Sequence, residues 1–141
     1  MHIQPYLFFE GRCEEALEFY RRAVGAEVTA LMRFKDNPDV GAEGCAGPMG
    51  EVPPEKVMHA EFRIGDTTVL ASDGMCSGKP AFQGISLTLS VPTDAEADRL
   101  FNALGAEGGQ VQMPLGKTFF ASSFGMLADR FGVSWMIITA S

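Results

Sequence analysis

His59, Glu61 and Arg63 stand at alternate positions of a short run, Met58 to Ile64. Residues two apart on a strand share a face, so one extended segment could present an imidazole, a carboxylate and a guanidinium together. Three chemistries are open to such a set. His59 and Glu61 could be two ligands of a metal ion, one short of the three that a catalytic zinc takes from protein. They could act as a general acid–base pair, with Glu61 or Arg63 tuning the imidazole around neutral pH. Or they could be ordinary polar residues on a half-exposed strand. The other histidine, His2, stands next to the N-terminus, outside any predicted element.

The elements that must position these residues are two strands joined by Gly65-Asp66. A two-residue turn sets Arg63 opposite Thr68, Glu61 opposite Leu70 and His59 opposite Ser72. One face then carries Met58, Ala60, Phe62, Ile64, Val69 and Ala71. A helix has to cover one side of such a sheet, and the apolar side is the one to bury. His59, Glu61, Arg63 and Ser72 are therefore expected on the side facing a cleft or solvent.

Along the rest of the chain, Ile3 to Phe9 reads as a strand. Cys13, Ala16, Leu17, Tyr20 and Val24 mark one face of an amphipathic helix over 12–24, stopped by Gly25. Ala26 to Phe34 is a second strand. Lys35 to Glu55 is rich in glycine and proline; a connection of roughly twenty residues suits a lid or binding loop. Ile85 to Val91 alternates apolar and hydroxyl residues as a strand does. Thr93 and Glu96 have the spacing of a capping box, and Ala97, Leu100, Phe101 and Leu104 form the stripe of the helix that follows, ended by Gly105. Gln110–Met113, Lys117–Phe124 and Val133–Ile138 are further strands, with 126–132 connecting the last two. The order strand, helix, three strands occurs twice, with Val24-Gly-Ala-Glu27 repeated as Leu104-Gly-Ala-Glu107. Such a long repeat means duplicated βαβββ modules, about 1–75 and 84–141, within a single α+β domain 1–141. Their mixed, curved sheets are expected to enclose a cleft.

Totals exclude several classes. With 141 residues and a net charge of −7 the chain is acidic, which argues against nucleic acid as a partner. No apolar run approaches the ~20 residues of a membrane span, and no signal peptide is visible, so a cytoplasmic location is expected. Three scattered cysteines suggest neither a disulfide framework nor a structural zinc site. Cys13 falls on the apolar helix face as an inert thiol, whereas Cys76 lies in a loop and could react. Gly78-Lys79 lacks the frame of a phosphate loop. Phe119 and Trp135 could line an apolar pocket, although large strand aromatics more often belong to the core.

The double module resembles the vicinal oxygen chelate superfamily of glyoxalase I, extradiol dioxygenases, fosfomycin-resistance enzymes and bleomycin-binding proteins. Within it the chain is most similar to the PhnB-like proteins. The segments that carry the likeness are Pro5-Tyr-Leu-Phe-Phe, Ala16-Leu-Glu-Phe-Tyr-Arg-Arg-Ala-Val-Gly-Ala-Glu27, His59-Ala-Glu-Phe-Arg-Ile, Ser72-Asp, Ser77-Gly and Phe124-Gly…Asp129-Arg-Phe-Gly-Val-Ser-Trp-Met136. The resemblance implies a homodimer. It also implies a divalent metal held by His, Gln or Glu from the first and last strand of each module. The matching positions are Pro5 (or Gln4), Ala71, Ser86 and Met136, which lack suitable donors. No metal and no other cofactor is therefore expected. PhnB-like proteins are sometimes labelled demethylubiquinone methyltransferases, but no G-x-G-x-x-G nucleotide loop supports that chemistry here.

The resulting expectation is a small-molecule-binding protein with a cleft lined by His59, Glu61, Arg63, Ser72, Ser86, Phe119, Trp135 and Met136. The alternative is a metal-dependent lyase, isomerase or dioxygenase using His59 and Glu61. Whether the chain is an enzyme stays open.

Overall fold

A computed structural model describes residues 1–36, 45–47 and 50–140. It divides into two compact units, Met1–Pro80 and Ala81–Ser141. The first contains β1 (Tyr6–Phe8), α1 (Cys13–Val24), β2 (Glu27–Arg33), a small hairpin of β3 (Cys45–Gly47) and β4 (Gly50–Val52), then β5 (Val57–Ile64) and β6 (Thr67–Ser72). The second contains β7 (Leu87–Ser90), α2 (Asp94–Gly105), β8 (Gln110–Gly116), β9 (Ala121–Ala128) and β10 (Ser134–Ala140). The main sheets run β1-β6-β5-β2 and β7-β10-β9-β8. In each, the first strand pairs parallel with the last and the other pairs are antiparallel. Both units thus have βαβββ connectivity, and the α+β repeat expected from the sequence is present.

Local chemistry explains the helices. Glu14 and Glu15 lie in the first turn of α1 and Arg21 and Arg22 in the last, matching the helix dipole. Gly25 closes it at φ 70°, a left-handed conformation that glycine adopts without a Cβ clash, and its N–H meets the Tyr20 carbonyl. At the other end, Asp73 is buried. Its carboxylate accepts from the Cys13 N–H at 2.7 Å and the Val57 N–H at 2.6 Å, fastening the start of α1 to the start of β5. In α2 the Thr93 hydroxyl accepts from the Glu96 N–H at 3.1 Å. The reciprocal half of the expected capping box is replaced, because Glu96 pairs with Arg99.

Each sheet packs one face beneath its helix. Tyr20 stacks on Phe62 at 5.7 Å, both fully buried; burying such a side chain contributes about 1.5–3 kcal/mol. In the second unit Leu104, Leu127, Trp135 and Ile137 are buried. A Cβ at Gly125 would lie 2.7 Å from the Phe101 ring, so glycine at that point lets α2 approach β9.

Several boundaries differ from the sequence reading. Ile3 is 95% exposed and stands outside β1, whose pairing with β6 begins at Tyr6 and Leu70. The 35–55 segment carries the β3–β4 hairpin; positions 37–44 and 48–49 of the expected lid lie outside the described residues. Residues 117–120 form a loop, and β9 instead continues through Met126 to Ala128, paired with Ser134. Among the described residues no helix is long and apolar enough to cross a membrane.

Candidate functional site

The parity of β5 and β6 decides what the first sheet presents. Their ladder pairs Arg63 with Thr68, Glu61 with Leu70 and Ala60 with Ala71. Ala60, Phe62, Val69 and Ala71 are buried under α1, whereas His59, Glu61, Thr68 and Leu70 keep partial exposure. His59 and Glu61 therefore lie on the open face. Met58 breaks the pattern. The β2–β5 register slips so that Met32 faces His59 while Arg33 faces Val57, leaving Met58 as the extra, half-exposed residue of a bulge.

Strand β1 adds residues that the sequence did not mark out. Leu7 and Phe9 are buried, while Tyr6 and Phe8 are 36% and 52% exposed. The Tyr6 ring lies 4.9 Å from Phe8 and 5.5 Å from the His59 ring. Its hydroxyl is 2.9 Å from His59 Nδ1. When the phenol donates, the imidazole is held as the Nε2–H tautomer, with a donor left for a ligand. Across β5, Met32 pairs with His59 and is 43% exposed. The open face thus carries a row Phe8–Tyr6–His59–Met32, with the Glu61 carboxylate two residues along β5.

The other expected site residues are dispersed. Arg63 is engaged across the sheet by Glu27, N···O 2.7 Å. Ser72 is buried and its hydroxyl accepts from the Gly74 N–H at 3.0 Å. Ser86 stands just before β7 and Met136 on β10; Ser86 Oγ meets Ser134 Oγ at 2.6 Å and Met136 Sδ accepts from Thr88 Oγ1 at 3.7 Å. Trp135 is 1% exposed, and its ring N–H donates to buried Asp129 at 2.8 Å. Phe119 is 99% exposed in the 117–120 loop. Among the cysteines, burial is the main cause pushing both the Cys13 and the Cys76 thiols upward, and Asp73 adds to it. Cys76 is thus less ready to ionise than an ordinary thiol.

The positions matched to the superfamily's metal ligands do not fit a divalent ion. Ala71 is fully buried on the helix side, and the open position beside it belongs to Leu70. Ser86 and Met136 offer a hydroxyl and a thioether, poor donors for a hard or borderline cation. Among the described residues no three His, Cys, Asp or Glu side chains stand together as a ligand set. A separate concavity of about 360 Å³ is bordered by Glu10, Arg12, Lys56, Cys76 and Ser77. There Glu10 accepts from the Met75 and Ser77 N–H groups, and Lys56 donates to the Gly11 carbonyl.

A family profile described as 3-demethylubiquinone-9 3-methyltransferase matches residues 1–138. The chain belongs to this PhnB-like family. Protein YjdN of Escherichia coli K12 is 37% identical over 140 residues, 97% of this chain and 94% of that one. Protein PA1353 from Pseudomonas aeruginosa superposes with a TM-score of 0.81 at 41% identity, covering 99% and 98% of the two chains. The PhnB protein from Bacillus cereus gives 0.79 at 30% identity, covering 99% and 100%. For the fold alone, a glyoxylase/bleomycin resistance protein/dioxygenase domain from Frankia sp. EAN1pec, at 15% identity, gives 0.62 with 99% and 95% covered. The PhnB-like chain therefore has the vicinal oxygen chelate fold, and the positions matched to the superfamily's metal ligands include Ala71, Ser86 and Met136, none of which offers a carboxylate, amide or imidazole.

Proposed function

We propose that this PhnB-like protein binds a small molecule carrying an aromatic ring, preferably cationic, on the open face of its first sheet. The observation that carries this reading is the row of rings on β1 and β5. Two aromatic residues on adjacent same-face positions keep 36% and 52% of their surface in water. A monomer gains nothing from leaving such area exposed, but a ligand that covers it does. Tyr6, Phe8 and His59 supply flat surface, Met32 a soft and adaptable edge, and Glu61 the charge that favours a cation. A homodimer belongs to the same reading, supported by the family likeness. Light scattering should then give twice the 15.2 kDa chain mass.

A thermal-shift series with benzamidine, indole and quaternary ammonium probes tests the binding. A probe at ~100 times its dissociation constant should stabilise the protein by ~2.7 kcal/mol. Flat curves for every aromatic and cationic probe would count against it. Metal analysis of protein purified without chelator addresses the alternative. About one equivalent of zinc, nickel, manganese or iron, lost in His59→Ala, would restore the metal-dependent enzyme.

A further inference from the structure

The open face of the second sheet has a different chemistry. Register places Met113 of β8 opposite Met126 of β9, and Met126 opposite Met136 of β10. Three methionines thus stand in one file across three neighbouring strands. Partner residues in a ladder point to the same side. Their side is the open one, because Leu127, Trp135 and Ile137, the strand neighbours of Met126 and Met136, are buried beneath α2. Met113 is 44% exposed, and Met126 and Met136 are half-exposed.

We propose that Met113, Met126 and Met136 form a binding site for a soft monovalent cation, Cu(I) in chemical class. Thioethers select Cu(I) over harder ions. Strands lie about 4.8 Å apart, so the outer two methionines are separated by roughly 10 Å, with Met126 midway. Each side chain has three rotatable bonds and can lean toward an ion held over Met126. On the side of β10 away from β9, Thr88 Oγ1 already donates to Met136 Sδ at 3.7 Å. Ion binding exchanges that weak hydrogen bond for a coordinate bond. The flanking open-face strand residues, Thr88, Ser134, Phe124 and Ala128, bring no carboxylate or imidazole that would favour a divalent ion. The site belongs to the second unit and does not depend on the ligand face of the first.

Silver(I), redox-inert and thiophilic, is the probe, added to full-length protein carrying Cys45→Ser and Cys76→Ser, which leaves the buried Cys13 as its one thiol. With methyl-labelled methionine, one equivalent should shift the methyl signals of Met113, Met126 and Met136 together and leave those of Met1, Met32, Met58 and Met75 in place. Met126→Leu conserves volume and should weaken silver binding at least tenfold, while Met32→Leu should not alter it. Shifts spread over all methionines, no shift at one equivalent, or unchanged affinity in Met126→Leu would each overturn the site.

Discussion

At the scale of single residues, two buried carboxylates carry structure and not chemistry. Asp73 joins helix and strand through two backbone donors, and Asp129 holds the β9–β10 turn through the Phe131 and Val133 N–H groups and the Trp135 ring. Asp73→Ala orphans two buried donors and should cost about 2–6 kcal/mol in urea unfolding, at roughly 1–3 kcal/mol per donor. Asp73→Asn keeps one acceptor and should cost less. Asp94 gives a pH signature. Hydroxyl donors from Ser122 and then Ser123 hold its carboxyl below the usual range. A folded value below the unfolded one contributes stability that is complete above the unfolded value, about 3.9, and fades as pH falls through the folded one. Urea unfolding across that range should therefore show wild type losing its advantage over Asp94→Asn on acidification. A difference that stays constant with pH would contradict the assignment.

At the scale of elements, the central fact is the parity of the β5–β6 hairpin. Ala71 is sealed under α1 and Leu70 is open. Ala71→Leu should therefore overpack the core and cost about 1–3 kcal/mol, whereas Leu70→Ala should change urea stability by well under half of that. Equal penalties would mean the faces had been exchanged. Much of this hairpin was legible beforehand: Gly65-Asp66 set the register, and alternation from Ala60 to Ile64 chose the buried side. The partners of His59 were not. In Tyr6-Leu-Phe-Phe9 every residue is apolar or aromatic, so no alternation shows which two are open, and a parallel pairing with β6 leaves no turn signal in between. The bulge at Met58 likewise arises from the β2 register, a contact across the 35–55 segment that local pattern cannot report. Hairpin parity puts Ser72 on the open face and ring type marks Trp135 for a pocket, but burial gives their polar atoms to the Gly74 N–H and to Asp129.

At the scale of the molecule, a duplicated βαβββ framework holds two open sheet faces that differ in what they offer. The first has rings, an imidazole and a carboxylate; the second has thioethers and hydroxyls. The fold is that of a superfamily whose metal-using members hold a divalent ion, yet here those positions carry apolar or weakly donating residues. The most direct test of the aromatic binding face is a benzamidine titration followed by backbone amide NMR on wild type and Phe8→Ser. Perturbations should centre on Tyr6, Phe8, Met32, His59 and Glu61 and fall at least fivefold in the variant. Perturbations centred elsewhere, or equal binding by Phe8→Ser, would contradict the account.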